Sequence, residues 1–389
     1  MALAIVAGAL ANKPFNGGEA WVRLSWVLGL ARLGFETYFV EELTTAACVD
    51  DQGRRIDFAA SINRRHFDQV TRDFGLEGRA GLLYDGGRQS SGLPLEPLLE
   101  IASEADLLVN VSGHLTSSEL LRRPRRRLYV DLDPAFTQSW HADPAVEFAL
   151  GGHDHYATVG LNVGRAGCRV PHAGIEWIPT LPPILIDRFS VQPPPPVPVR
   201  FTTVATWRSP FGPVVVDGKA TSLKHHQFRA LIDLPRRVPQ ASFEVALAID
   251  SEDSADLEAL REHGWEISDP REVAGDPKSF REYVRRSGGE FSVAQGAYVE
   301  SRSGWFSDRT GAYLASGRPV LVQDTDITDR VPTGSGLLTF SSYDDAISGA
   351  EAIAADYASN AAAARAFAET HLDSDIVLDG LLTRIGLNS

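Results

Sequence analysis

Apolar positions along this chain alternate between short solid runs, as in buried strands, and runs spaced three and four apart, as in helices packed on one face. The first unit shows both. An apolar run from Ala4 to Leu10 predicts a buried strand, and Trp21, Leu24, Leu28 and Ala31 then recur at helical spacing after Gly17-Gly18. Gly34 ends that helix before a second strand, Thr37 to Leu43, which completes a βαβ unit. Further strands are predicted at Leu107 to Val111, Leu128 to Asp131, Tyr156 to Gly160, Phe201 to Thr206, Phe243 to Ile249, Phe291 to Ala294, Val320 to Gln323 and Leu337 to Phe340. Helices are predicted around 255–263, 277–286, 343–354, 361–370 and 376–385. Such alternation means an α/β fold whose parallel sheets carry helices on both faces.

The proline-rich stretch 191–199 cannot donate sheet hydrogen bonds and reads as an extended, semi-rigid connector. It divides the 389 residues into two Rossmann-like domains, 1–190 and 200–389, with the last helix free to pack back on the first. The net charge of −14 disfavours a nucleic-acid partner, since the arginine run from Arg122 to Arg127 is short and broken by Pro124. Cys48 and Cys168 offer neither a disulfide framework nor a metal pair, which suits a cytoplasmic protein. The apolar start imitates a signal peptide but has no basic residue ahead of it, and no run is long enough to be a transmembrane segment. Oligomeric state is not readable.

The stretch Ser303-Gly304-Trp305-Phe306-Ser307-Asp308-Arg309 has the character of a phosphate site. Ser307 or Asp308 can cap a helix whose first N–H groups lack partners, Gly304 allows close approach of a ligand, and Arg309 adds a fork of donors. The helix stops at Ser316-Gly317 and Pro319, and the strand that follows delivers Gln323, Asp324 and Thr325 to its carboxyl end, where they would hold sugar hydroxyls. Trp207-Arg208 after the first strand of the second half, together with Lys224, would neutralise a diphosphate, unless Arg208 pairs instead with an acid such as Glu244. Gly17 and Gly18 open a helix where backbone N–H groups can face an anion, although the three-glycine dinucleotide fingerprint is missing.

For acid–base work the sequence leaves several groups open. Asp131-Leu132-Asp133 lies at a strand end and reads as a carboxylate that orients or deprotonates an acceptor hydroxyl rather than as a metal site. His153 beside Asp154 has the composition of a general base, and the His153-Asp154-His155 run lacks the spacing of a zinc site. His114 is another candidate at the same sheet edge. Trp21, Trp26, Phe136 and Trp140 are candidates for an aromatic acceptor wall or for core.

Taken together, the two halves and the 303–309 loop resemble GT-B glycosyltransferases, two Rossmann-like domains facing across a cleft. Pro14 through Glu19 and Ala315-Ser316-Gly317-Arg318-Pro319-Val320 carry that resemblance. More narrowly, Tyr129 through Pro134 with Thr137-Gln138, His153-Asp154, Trp177-Ile178-Pro179-Thr180, Thr206-Trp207-Arg208, Lys224-His225-His226 and Ser303 through Arg309 are similar to a bacterial group of glycosyltransferase-like proteins of mostly unassigned function. The resemblance implies a nucleotide-sugar donor on the second domain and an acceptor on the first; the leading expectation is transfer of a hexose-type sugar to a hydroxyl of a small molecule or glycan, with no cofactor or essential metal. Two departures stand out. Where the large retaining group carries two glutamates this chain has Gly304 and Ala312, and the histidine that leads the plant-type inverting motif is missing. A nucleotide-sugar epimerase and a non-catalytic nucleotide-binding partner protein are the alternatives.

Overall fold

The computed structural model describes residues 2–143, 150–195, 197–209 and 211–387. In the first half the strands are β1 (Leu3–Ala7), β2 (Glu36–Leu43), β3 (Ala80–Tyr84), β4 (Gln89–Gly92), β5 (Leu107–Val111), β6 (Arg127–Asp131), β7 (His155–Thr158) and β8 (Trp177–Pro179). They form one sheet in the order β4-β3-β2-β1-β5-β6-β7-β8, parallel except for the edge strand β4. The second half opens with β9 (Val199–Thr206) and a small hairpin, β10 (Val215–Val216) and β11 (Lys219–Ala220). It continues with β12 (Ala241–Ala248), β13 (Trp265–Ser268), β14 (Gly289–Ser292), β15 (Val320–Gln323) and β16 (Leu337–Phe340). Its sheet runs β13-β12-β9-β14-β15-β16, all parallel, the doubly wound order of a Rossmann fold. Strand order reverses beside β1 in the first sheet and beside β9 in the second, and ligands gather at the carboxyl side of such reversals.

Two details of β1 correct the sequence reading. The strand stops at Ala7 rather than Leu10, because the backbone N–H groups of Leu10, Ala11 and Asn12 turn to donate to the buried carboxylate of Glu41 at 2.8, 2.6 and 2.7 Å. The anion held by backbone donors after the first strand is therefore the protein's own. Strands β3, β4, β8, β13 and the hairpin escaped the periodicity because they span five residues or fewer, several of them polar at sheet edges. No helix or strand occupies the described residues between Ser190 and Val199; Pro196 of the connector lies outside the described residues.

The two halves share a core. The helix Gly17–Arg32 is buried on nearly every side, as an apolar helix without a polar face should be. It lies against both the C-terminal helix Ser374–Arg384 and the helix Pro277–Arg286 of the second half. Trp21 and Trp26 on it are core, packed in one cluster with Tyr313 and Leu314, and the Trp21 indole N–H donates to the Pro277 carbonyl at 2.7 Å. Gly17 belongs to this contact and not to a ligand site. A Cβ there would come within 2.0 Å of the Asp276 carbonyl oxygen, so only glycine lets the helix start pass under the second half.

Gly17→Ala tests this packing through its sign. On a free helix start the change would gain roughly 0.4–1 kcal/mol, whereas here it should cost about 1–3 kcal/mol through overpacking. Urea unfolding of the two proteins decides between them.

Candidate functional site

A cleft of about 1000 Å³ lies between the carboxyl ends of the two sheets. Of the residues singled out from sequence, Gly18, Asp133, Arg208, Lys224, Ser307, Asp308 and Arg309 line it.

On the second-half wall, Lys224 begins the helix Lys224–Ala230 and forms no ion pair or hydrogen bond among the described residues. Burial, and then the Arg309 charge, lower its ammonium to about 8, with Asp133 acting in the opposite direction. Arg208 is spent on a bidentate pair with Asp253, both contacts at 2.7 Å, while Glu244 pairs with Arg200. Asp253 is therefore the partner, not Glu244. Ser307 takes the N-cap position of the helix Asp308–Ala315 without a side-chain bond back to it, so the first N–H groups at the cleft have no side-chain cap. Asp308 stands in that first turn. Burial, then Glu19, push its carboxyl up to about 6 against the pull of Arg309.

Arg309 is not a free fork. It donates to Glu290 at 2.7 Å, to the Val204 carbonyl at 2.9 Å and to Ser292, and so fills the gap between β9 and β14 where the strand order reverses. A buried pair of this kind costs roughly 3–5 kcal/mol to break from one side.

The rest of the loop read as a phosphate cradle is consumed by the first half. Leu161 N–H donates to the Gly304 carbonyl at 3.1 Å, Asn162 N–H to the Ser303 carbonyl at 3.1 Å, and Phe306 N–H to the Val159 carbonyl at 3.2 Å. Gly304 has φ +68, and a Cβ on it would meet Asn162 N at 2.9 Å, so its glycine serves this joint. The Asn162 side chain completes the joint. Its amide donates to the carbonyls of Arg302 (3.3 Å) and Asp326 (2.8 Å) and accepts from Arg330 Nε at 2.6 Å.

The sugar-holding residues are occupied as well. Ser303 is fully buried. Gln323 bonds Ala294 N and Gln227, Asp324 caps the turn at Asp326 and Ile327, and Thr325 donates to the Trp305 carbonyl. None of these four lines the cleft. Trp207 belongs to the second-half core, with its indole N–H on Asp256 at 3.0 Å.

On the first-half wall, Glu19 joins Lys13 and the buried Arg23. Burial would raise the Glu19 carboxyl, but the two cations hold it down at about 2. His114 lies near this group. Burial, then Arg23 and Lys13, press its imidazole down to about 3, so it is neutral. Asp131 is fully buried and accepts from Thr137 (2.7 Å), Thr158 (2.7 Å) and Gln138 (2.8 Å), which makes it a structural anchor under the strand end. Asp133, two residues on, faces the cleft, and its Oδ1 accepts from the Tyr298 hydroxyl at 2.7 Å. Burial raises its carboxyl above the usual range, and the Tyr298 hydrogen bond opposes that rise.

His153 is withdrawn from chemistry. Its two ring nitrogens contact the Leu150 carbonyl and the Asn110 amide, both at 3.1 Å, and Asp154 pairs with Arg127 instead. Of the aromatic candidates Phe136 is buried, and Trp140 meets Phe211 at 4.7 Å between ring centroids. Among the described residues no group of three or more His, Cys, Asp or Glu is arranged to hold a metal ion, and no helix is long and apolar enough to cross a membrane. The residues of the cleft and its joint that the sequence reading missed are Lys13, Arg23, Tyr298 and Asn162. Asn162 and Tyr298 each follow a predicted strand's carboxyl end by a few residues, and that position was the available signal.

Neither a protein-family model nor a curated protein sequence matches the chain. Solved structures do. An alpha-glucosyltransferase in complex with UDP aligns with a TM-score of 0.58 over 99% of this chain and 99% of that one. HepE from Anabaena, in complex with UDP-glucose, aligns at 0.56 over 98% and 99%, and AviGT4, a glycosyltransferase of avilamycin A biosynthesis, at 0.55 over 98% and 96%. The fold is GT-B. Identities are 12%, 12% and 11%, so the likeness is one of architecture. In GT-B terms the cleft just described is the space between the two Rossmann-like domains, and the Asn162 joint ties those domains together.

Asn162→Ala should cost about 1–3 kcal/mol in urea unfolding, because the Asp326 and Arg302 carbonyls and Arg330 lose their partner. A change under about 0.5 kcal/mol, within the range of an ordinary surface substitution, would mean that the backbone bonds alone hold the joint.

Proposed function

We propose that the protein transfers a hexose-type sugar from a nucleoside diphosphate to a hydroxyl of a small-molecule or glycan acceptor, without an essential metal. One observation carries this reading: an unpaired cation, Lys224, stands on the second-half wall of a nucleotide-sized cleft, opposite a cleft-facing carboxylate, Asp133. The nucleotide would lie along the ends of β9 and β12, with Leu247, Ile249 and Ile267 as an apolar bed. Lys224 and the uncapped helix start at Ser307 would face the diphosphate and stabilise the charge that grows on it as the sugar leaves. Asp133 would take the acceptor proton. Metal is not needed in this scheme because cations of the chain meet the phosphate, and the oxygens of Asp131 are already engaged by protein donors. The fold is shared with proteins solved with UDP or UDP-glucose, which makes uridine nucleotides the first to try.

The test is binding, followed by turnover. Thermal unfolding against UDP, dTDP, GDP, ADP and CMP, with and without magnesium, should show stabilisation by one diphosphate that magnesium does not change. At a hundred times the dissociation constant the gain is about 2.7 kcal/mol. Lys224, rather than Arg309, is the residue to change, since loss of Arg309 would also weaken the sheet. Lys224→Met should weaken binding roughly tenfold. Product formed from the donor alone would favour an epimerase, and binding without turnover a partner protein.

Binding should also depend on pH in a defined direction. The Lys224 ammonium titrates at about 8 in the free protein, so the diphosphate meets a charge below that pH and a neutral amine above it. The dissociation constant should therefore rise as pH moves from 7 to 9, and calorimetric titrations of Lys224→Met should lose that slope.

A further inference from the structure

Tyr298 reaches across the cleft from the short helix Gly296–Glu300 of the second domain to a carboxylate of the first. Its ring is fixed on both sides. It stacks on Trp305 at 4.6 Å between centroids and 27° between planes, and it meets the edge of Phe136 at 5.8 Å and 90°. Trp305 in turn donates its indole N–H to the carbonyl of Leu132, next to Asp133, at 3.2 Å. The helix packs closely on the backbone of its own domain, since a Cβ on Gly296 would lie 2.2 Å from the Ser222 carbonyl oxygen. Tyr298 is 4% exposed, and its hydroxyl donates to Asp133 Oδ1 at 2.7 Å. Oδ2 is left for a ligand in the cleft.

We infer that Tyr298 is a positioning residue that orients the Asp133 carboxylate from the opposite domain, so that the acceptor base is assembled only where the two domains meet. This rests on the transferase reading above. In that reaction the acceptor O–H gives its proton to Asp133 Oδ2 while the acceptor oxygen bonds to the sugar's anomeric carbon. The carbon–oxygen bond to the diphosphate breaks, and its electron pair leaves with the phosphate. Tyr298 has two effects on this step. It aims one oxygen of the carboxylate by holding the other, and its hydrogen bond favours the ionised form, which is the form that accepts a proton. The other charges facing Asp133 are Glu19, Arg23 and Lys13 from its own domain and Lys224 from the opposite one, with Asp131 behind it on the strand end. None is a histidine, and Lys224, at about 8, titrates on the basic side, so removal of the hydroxyl is read on the acid limb.

The experiment is the pH profile of transfer in wild type, Tyr298→Phe and Asp133→Asn, with the donor found by the binding screen. Tyr298→Phe keeps the ring and its stack on Trp305. It should lower kcat about tenfold, leave KM for the donor within about twofold, and move the acid limb of kcat up by about one pH unit, because the carboxylate loses a donor and protonates more readily. An acid limb that stays in place while wild type turns over would overturn the inference and leave the transferase reading intact. Wild-type turnover in Asp133→Asn would overturn it too, by removing the base. If wild type binds a diphosphate but transfers from no donor, the transferase reading itself fails and the inference with it.

Discussion

Backbone pairing between the domains governs how this molecule is arranged. Residues 159–162 leave the end of β7 and lie against 303–306, exchanging hydrogen bonds of 3.1–3.2 Å and using the Asn162 side chain for three more. Asn162, Ser303, Gly304 and Phe306 are buried there, and a buried N–H or carbonyl left unpaired costs more than a pair gains. The joint therefore fixes which surfaces of the second domain are available. It removes Ser303, Gly304 and Phe306 from the ligand side and turns Trp305 toward Leu132 and Tyr298. What remains open toward the cleft is the helix start at Ser307 and the cations around it.

The electrostatics of the cleft follow from that placement. Carboxylates of Glu19, Asp133 and Asp308 face the cations Lys13, Arg23, Lys224 and Arg309 across a partly desolvated gap. The two cations beside Glu19 hold it down at about 2, whereas Asp308, with the Glu19 charge near it, rises to about 6. Lys224 has no carboxylate within ion-pair distance among the described residues, and burial weakens its ammonium. A half-buried cation of that kind is costly without an anion, and on the transferase reading a diphosphate would relieve it.

The architecture was legible because solid apolar runs and three–four spacing report burial directly, and βαβ alternation admits few arrangements. Cleft-lining residues were readable where the local pattern marks a strand end, as for Asp133, or a helix start, as for Lys224 and Asp308. Trp207, Gln323 and Thr325 carry the same local signal, yet their partners are Asp256, Gln227 and the Trp305 carbonyl. His153 next to Asp154 shows the same limit, since adjacency in sequence placed the carboxylate on Arg127. Contacts between domains have no local signature. That is why Gly17 and Gly304 read as ligand glycines when each is needed for the close approach of the other half.

The two positions where paired glutamates are expected in the retaining group now have a physical account. Gly304 is pressed by Asn162, and Ala312 is 3% exposed on the buried side of its helix, against the core that contains Trp21 and Phe306. A glutamate at either position would bury a charge or break the joint. Glu300, which keeps the eight-residue spacing to Asp308, accepts from Ser222 N and Oγ at 2.7 and 2.6 Å and does not line the cleft. Carboxylates therefore cannot enter the donor side from these places. On the transferase reading, proton transfer is left to Asp133 across the gap, and the donor side contributes Lys224 and the helix start at Ser307 to the leaving phosphate. Base and leaving-group stabiliser then belong to different domains, and the joint at Asn162 holds both parts in register.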